Sequence, residues 1–100
     1  MTFKEYIKAE NIKKDVEAIN CSNSSLTDLN GIEEFTNLTH LNCYNNDLTQ
    51  LPSLDKLVNL KYLNCNNNKL PKSFNGLSTE EVKSLARQIN RNKKIDELVN

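Results

Sequence analysis

Apolar residues recur along this chain with a period of 22, and three segments carry the same pattern. "VEAINCSNSSL" spans 16–26, "LTHLNCYNNDL" spans 38–48 and "LKYLNCNNNKL" spans 60–70. In the first two units the apolar residues occupy positions 1, 4, 6, 11, 14, 17 and 20, which matches neither a pure helix nor a pure strand, and the third unit keeps positions 1, 4, 6 and 11. A fixed period of roughly 20 to 29 residues is typical of a solenoid of stacked units.

The middle of each unit predicts one short strand. In "HLNCY" and "YLNCN" apolar and polar residues alternate, so Leu and Cys point to one face and their neighbours to the other. Stacked units then place the strands in a parallel sheet, and the later apolar residues return along its back. No unit can bury its apolar face alone, so each depends on its neighbours.

The motif L-x-x-L-x-C-x-x-N-x-L resembles the leucine-rich repeat family. Its regular spacing is similar to the 22-residue subclass found in bacterial internalins and in a protein-phosphatase regulatory subunit. The resemblance covers residues 16–77, with two full repeats and a third that departs from the pattern after Leu70. It implies an α/β fold, a short leucine-rich-repeat solenoid with a parallel β-sheet on its concave face.

The ninth position of the repeat carries a turn residue. In leucine-rich repeats this Asn lies inside the turn and bonds backbone groups of its own and adjacent repeats, a task for which an amide offers both donor and acceptor. Asn46 and Asn68 occupy the position here, whereas Ser24 occupies it in the first repeat. Because a hydroxyl reaches less far, we expect the first turn to be the least regular.

Both ends of the solenoid need a cover, and the flanking sequences predict helices. Thr2 and Glu5 have the spacing of a capping box, and Phe3, Tyr6 and Ile7 share one helical face. Ser78 and Glu81 form a second such pair before apolar residues at helical spacing, namely Val82, Leu85, Ala86 and Ile89. Ile95, Leu98 and Val99 add a further helical turn. The prediction is a single domain over 1–100, with an N-terminal cap at 1–15, three repeats at 16–77 and a C-terminal helical cap at 78–100.

Cys21, Cys43 and Cys65 follow the repeat and not a metal-site spacing. Metal sites use close pairs such as C-x-x-C with further ligands, whereas a free Cys behaves as a small buried hydrophobe. We therefore expect a ladder of core thiols, with no metal and no cofactor.

The outward side chains of the strands are the candidate binding surface, because the concave face is the usual binding surface of the family. Ala18 and Asn23 share its rows with ten residues that we predict to bind: Asn20, Ser22, His40, Asn42, Tyr44, Asn45, Tyr62, Asn64, Asn66 and Asn67. The two tyrosines supply the amphipathic aromatic area favoured at interfaces, although β-prone tyrosines on a solvated sheet give the same pattern. With strands about 4.8 Å apart, the face offers only a few hundred Å², against about 800 Å² per partner in a standard interface.

Catalysis is not expected. His40 is the sole histidine, and its row neighbours Ala18 and Tyr62 make no triad with it. Gly31 and Gly76 stand apart, so there is no Gly-rich phosphate loop.

Charge argues against a dedicated binder of nucleic acid or anionic membranes, because Lys+Arg and Asp+Glu both number 13. The C-terminal segment is locally basic at Lys83, Arg87, Arg91, Lys93 and Lys94, and nearly balanced by Glu80, Glu81, Asp96 and Glu97. We interpret it as a solvated helix face, with a phosphate or nucleic-acid contact as the alternative.

No apolar run reaches the roughly 18–20 residues of a membrane span, there is no signal-peptide pattern and the number of cysteines is odd, so a cytoplasmic protein is expected.

These patterns predict a small, monomeric, cytosolic protein-binding module. Its compact Asn- and Lys-rich chain is typical of a bacterium or its phage, where it would bind and modulate a host factor. Two alternatives stay open. One is a nucleic-acid-binding protein that uses the basic C-terminal helix, and the other is a self-assembling structural unit.

Overall fold

The computed structural model describes residues 1–99, which contain two α-helices and three strands. In chain order these are α1 (Phe3–Ala9), β1 (Ala18–Asn20), β2 (His40–Asn42), β3 (Tyr62–Asn64) and α2 (Thr79–Val99). Short 3-10 helices lie at Ile32–Glu34 and Lys72–Phe74. The predicted C-terminal segment, 78–100, ends with Asn100, which lies outside the described residues.

The three strands form one parallel sheet in the order β1-β2-β3. Ala18 pairs with His40, and His40 pairs with Tyr62, so each strand is displaced from the next by 22 residues. This register is the one that the sequence period predicts. The sheet and the two helices fit an α/β fold of the leucine-rich-repeat kind.

A single apolar core lies behind the sheet. Leu41 of β2 and Cys21 and Cys43 just after β1 and β2 are fully buried. The segments that return along the back of the sheet contribute apolar residues spaced three apart. All of these are buried: Leu29, Ile32 and Phe35 in the first return segment, and Leu51, Leu54 and Leu57 in the second. Cys65 is only half-buried because it follows the last strand, where no further strand covers it.

The helix α1 packs against the first repeat, and its start is held by the predicted capping box. The Thr2 hydroxyl accepts from the Glu5 backbone N–H, and the Glu5 carboxylate accepts from the Thr2 N–H. Phe3 is buried and meets Phe35 edge-on, with ring centroids 5.8 Å apart. The Tyr6 hydroxyl donates to the carbonyl of Asn20 at 2.9 Å. The helix thus contacts both the core and the end of β1.

The helix α2 is one continuous helix of 21 residues. The Ser78 hydroxyl accepts from the Glu81 N–H and the Glu81 carboxylate from the Ser78 N–H, which confirms the second capping box. The Thr79 hydroxyl accepts from the Leu63 N–H at 3.1 Å, so the helix start covers part of the outer edge of β3. Val82 and Ala86 lie in the core. Among the described residues, no helix combines the length and the apolar character needed to cross a membrane.

The basic residues of α2 do not form a uniformly solvated face, and that expectation is wrong for Lys83. Lys83 is only 8% exposed, and its ammonium donates to the carbonyl of Leu57 at 3.0 Å. It lies beside Val82 on the packed side of the helix, and its long aliphatic stem lets it span the core margin to reach that carbonyl. Arg87 is ion-paired with Asp55 at 2.6 Å, and Lys93 donates to Gln50.

Candidate functional site

The outward face of the sheet gathers the predicted binding residues into rows that run across the three strands. Ala18, His40 and Tyr62 form one row, and Asn20, Asn42 and Asn64 form the next. The residues that follow each strand continue the surface: Ser22, Tyr44 and Asn66, then Asn23, Asn45 and Asn67. Most of these side chains are exposed, while Ser22, Asn42 and Asn64 are half-buried. The structure therefore brings all ten predicted residues onto one surface.

Aromatic side chains lie side by side on this surface. The His40 and Tyr62 rings are stacked with centroids 5.9 Å apart and planes inclined by 30°. His40 Nδ1 is 2.9 Å from the Thr39 hydroxyl, which holds the imidazole in place. Tyr44 is 40% exposed and Tyr62 47% exposed, so both rings offer contact area to a partner. Two exposed tyrosines in one small surface are the type of side chain enriched at binding hot spots.

The row Asn20, Asn42 and Asn64 has a local structural task. Each side-chain oxygen accepts from the backbone N–H two residues further on, at 3.1, 3.0 and 3.0 Å respectively. This Asx-turn geometry ends each strand in the same way. Their carboxamide oxygens therefore belong to the turns, which fixes the orientation of each amide at the surface.

Asn23, Asn45 and Asn67 form a hydrogen-bonded row that we call the asparagine ladder. The Asn67 amide nitrogen donates to the Asn45 oxygen at 2.8 Å, and the Asn45 nitrogen donates to the Asn23 oxygen at 2.6 Å. All three backbones have positive φ, at 55°, 57° and 58°, a conformation that Asn tolerates better than most residues. Asn23 lies outside the ten residues predicted to bind, although its spacing of 22 from Asn45 placed it in the same row.

Asn46 and Asn68 lie beneath this surface, inside the turns. The Asn46 oxygen accepts from the N–H groups of Ser24 and Leu26 at 3.0 and 2.9 Å, and its nitrogen donates to the carbonyls of Cys21 and Cys43. The Asn68 oxygen accepts from the Leu48 N–H, and its nitrogen donates to the carbonyls of Cys43 and Cys65. Both residues therefore bind their own repeat to the one before it, as predicted.

The first turn differs from the other two, as Ser24 in place of Asn led us to expect. The Ser24 hydroxyl donates only to the carbonyl of Ser22, within its own turn. Ser25 also has a positive φ of 55°, in addition to Asn23, whereas the later turns have one such residue each.

The ten residues predicted to bind are nearly free of formal charge, although charged side chains such as Glu17 and Lys61 border them. None of the ten predicted residues is acidic or basic apart from His40. A concavity of about 490 Å³ with several charged lining residues lies between α2 and the second return segment. It is lined by Ser53, Asp55, Arg87, Asn90, Arg91, Lys93, Lys94 and Glu97. The hydrogen bond from Arg87 holds the pKa of the Asp55 carboxyl below its usual range.

The thiols are poorly suited to act as metal ligands. Burial raises the pKa of Cys21 to about 11 and raises the pKa values of Cys43 and Cys65. They are therefore protonated at neutral pH, whereas a metal binds the thiolate. Over residues 1–99, no group of three or more His, Cys, Asp or Glu side chains is placed to hold a metal ion.

Residues 36–79 match the family model described as leucine-rich repeats in two copies. The match covers the second and third repeats, including β2, β3 and both turn asparagines, and it supports a leucine-rich repeat family for this chain. The comparison with curated proteins gave no match, and neither did the comparison with solved structures.

Proposed function

We propose that this chain is a non-enzymatic protein-binding module that uses the outward face of its sheet. Leucine-rich repeat domains commonly mediate contacts between proteins, and the match over 36–79 makes that class the first to consider. The observation that carries the proposal is that Tyr44 and Tyr62, with His40 stacked on Tyr62, are exposed on one face of the sheet. The tyrosine rings give a partner apolar contact area at little cost in side-chain entropy, and the amides around them can form hydrogen bonds with it.

The finer parts of this proposal concern architecture and setting. In it, 16–77 are three repeats of the 22-residue subclass, α1 and α2 cap a short solenoid, and the sheet face is concave. The protein acts as a monomer in the cytoplasm of a bacterium or in a phage-infected cell, where it binds and modulates a host factor. The small sheet favours a peptide or loop as the ligand, because a globular partner needs a larger contact area.

A capture experiment tests the use of this face. Wild-type protein is compared with the Tyr44→Ala, Tyr62→Ala double variant for partners retained from a bacterial lysate and identified by mass spectrometry. A matched control is the Val58→Ala, Ile95→Ala double variant, which also removes two exposed apolar side chains, but away from the sheet face. We expect a partner that wild type and control retain and the tyrosine variant loses. A partner that all three proteins retain equally would contradict the use of this face.

Nucleic-acid binding is the second candidate, since the concavity beside α2 is lined by Arg87, Arg91, Lys93 and Lys94. Arg87 and Lys93 are engaged by Asp55 and Gln50, and Lys83 is buried, so Arg91 and Lys94 carry most of the available charge. Fluorescence anisotropy of labelled single-stranded oligonucleotides at low salt tests this candidate. An increase in anisotropy that the Arg91→Ala and Lys94→Ala variants abolish would favour nucleic-acid binding over protein binding. A titration without any increase would exclude nucleic-acid binding.

A further inference from the structure

In the two earlier repeats, certain backbone groups form hydrogen bonds with the next repeat. The equivalent groups of the last repeat have no such partner among the described residues. The backbone N–H of Cys21 donates to the Asn42 carbonyl, and that of Cys43 donates to the Asn64 carbonyl, both at 2.8 Å. Two residues later, the N–H of Asn23 donates to the Tyr44 carbonyl and that of Asn45 to the Asn66 carbonyl, both at 3.0 Å. The equivalent groups of the third repeat are the N–H of Cys65 and of Asn67, and within residues 1–99 neither has an acceptor.

The side chains of the turns repeat the same relation. Leu26 N–H donates to the Asn46 oxygen and Leu48 N–H to the Asn68 oxygen. The equivalent donor in the third repeat is Leu70 N–H, which has no acceptor within the described part of the chain. Likewise the Asn67 oxygen is the one ladder oxygen to which no described side chain donates. The Leu26 and Leu48 carbonyls accept from the N–H groups of Asp47 and Lys69, whereas no described group donates to the Leu70 carbonyl. The outer edge at 65–70, which we call the open edge, thus presents three donors and two acceptors.

The open edge is accessible to solvent, whereas the edge of β3 at Leu63 is covered by α2. The N–H of Leu63 is already taken by the Thr79 hydroxyl, so α2 closes the edge at that point. Beyond it, Asn66 and Asn67 are exposed and Cys65 and Leu70 are half-buried. A small cavity of about 50 Å³ lies here, lined by Cys65, Asn66, Asn67, Asn68, Leu70, Phe74 and Asn75. That volume is about the size of one or two water molecules, so a ligand would lie on the exposed outer side of residues 65–70 and not inside the cavity.

We propose that the open edge binds a short extended peptide, parallel to β3, with the sequence pattern Asn-x-x-Asn-Asn. The two internal copies of this interface specify the pattern, because 42–46 read Asn-Cys-Tyr-Asn-Asn and 64–68 read Asn-Cys-Asn-Asn-Asn. The carbonyls of the first and third ligand residues accept from Cys65 and Asn67 N–H. The fourth side chain donates to the Asn67 oxygen, and the fifth side chain accepts from Leu70 N–H. The peptide would thus pair with the outer edge of β3 in the same way as β3 pairs with β2, which is a case of strand addition.

The probe is the acetylated and amidated peptide Asn-Ser-Tyr-Asn-Asn, in which Ser replaces the core-facing Cys. Amide NMR shifts of the full-length protein are followed while the peptide is added to millimolar concentration. We expect saturable shifts at the amides of Cys65, Asn67 and Leu70, with slower hydrogen exchange at these three sites. Replacing the last Asn of the peptide by Ala should weaken binding about tenfold, the equivalent of one hydrogen bond.

A matched pair of protein variants separates the open edge from general effects on the ladder. Asn67→Gly and Asn23→Gly each remove one end of the asparagine ladder and one ladder bond, at positions with φ of 58° and 55°. Glycine accepts this φ without strain. Only Asn67 lies on the open edge, so Asn67→Gly should weaken peptide binding by about tenfold while Asn23→Gly leaves it unchanged.

Three results would overturn the proposal. They are an absence of shifts at the open edge, equal affinity for the Ala-containing peptide, and shifts confined to Tyr44, Tyr62 and their neighbours. The last result would still leave the sheet face as a binding surface. Conversely, a partner lost by the tyrosine variant has no bearing on the peptide titration, so the two proposals can fail separately.

Discussion

Asn46 bonds two repeats together from inside a turn. It is 7% exposed, and its single amide bonds two N–H groups of the first repeat and carbonyls of both repeats. Apolar contacts between repeats are not directional and allow several stacking registers. An amide that must bond several fixed backbone groups allows only one of them. The side chain therefore specifies the stacking of the repeats as much as it stabilises the turn.

Replacing Asn46 by Ala leaves several buried backbone groups without partners. We expect a loss of about 2–3 kcal/mol in the free energy of unfolding, and a smaller loss of about 1 kcal/mol for Asn68→Ala, whose surroundings are wetter. Urea denaturation followed by circular dichroism measures both. Asn59→Ala, at an exposed position, is the control and should stay close to wild type. Equal stability of Asn46→Ala and Asn59→Ala would contradict the role given to the turn amide.

The three cysteines should differ in reactivity because their burial differs. All three thiols have raised pKa values, but Cys65 is half-buried whereas Cys21 and Cys43 are fully buried. We expect iodoacetamide at mildly alkaline pH to alkylate Cys65 first and the other two only on unfolding. Peptide mapping by mass spectrometry identifies the site, and a urea-denatured sample should carry three adducts. Faster modification of Cys43 would be inconsistent with the observed core.

At the level of elements, the strands and the helix starts were predictable from the sequence, and the contact of Lys83 with the second return segment was not. The 22-residue period set the sheet order and the pairing of Ala18, His40 and Tyr62, since repetition leaves little freedom in register. The capping pairs marked both helix starts, because such side chains act on adjacent backbone groups. The bond from Lys83 to Leu57 depends on a contact between distant segments, which no local pattern encodes. The C-terminal helix was expected to cover the outer edge of the last strand, and α2 does so at Leu63 but not over 65–70.

The outer turns of α2 contribute little to the core. Lys94, Ile95 and Leu98 are exposed, and Leu98 is 85% exposed. A chain that ends after Lys93 should retain the free energy of unfolding to within about 0.5 kcal/mol, as changes at exposed positions usually do. Urea denaturation compares the two lengths. A loss of several kcal/mol would mean that the exposed turns support the packed part of α2.

The contact between α2 and the second return segment should depend on pH through Asp55. Its pKa is lowered below 3.8, chiefly by the hydrogen bond from Arg87, so the carboxylate stabilises the fold above that pH and loses this effect as pH falls through the lowered value. At neutral pH we expect Asp55→Asn to cost about 0.5 kcal/mol, since the pair is exposed. The difference from wild type should shrink as the pH falls below 3.8 and vanish once the pH is below the lowered pKa, as measured by urea denaturation. A difference that grew towards low pH would have the wrong sign.

For the molecule as a whole, the middle repeat is central to stability. β2 pairs with both neighbours, whereas β1 and β3 each pair only with β2. Leu41 is fully buried and Leu63 only half-buried, so Leu41→Ala should cost about 3–5 kcal/mol and Leu63→Ala about 1–2 kcal/mol. Thermal and urea unfolding of the two variants test this order. Equal losses would mean that α2 seals the last repeat as fully as a strand would.

The asparagine ladder also has an electrical direction. Each amide nitrogen donates towards the lower-numbered repeat, from Asn67 to Asn45 and from Asn45 to Asn23. The amide dipoles therefore add along the row, and each bond polarises the next. The oxygen end, which is the negative pole, is at Asn67, and the positive pole is at Asn23. Although the asparagine ladder carries no formal charge, its two ends therefore differ. The Asn67 end attracts hydrogen-bond donors, and the Asn23 end attracts acceptors.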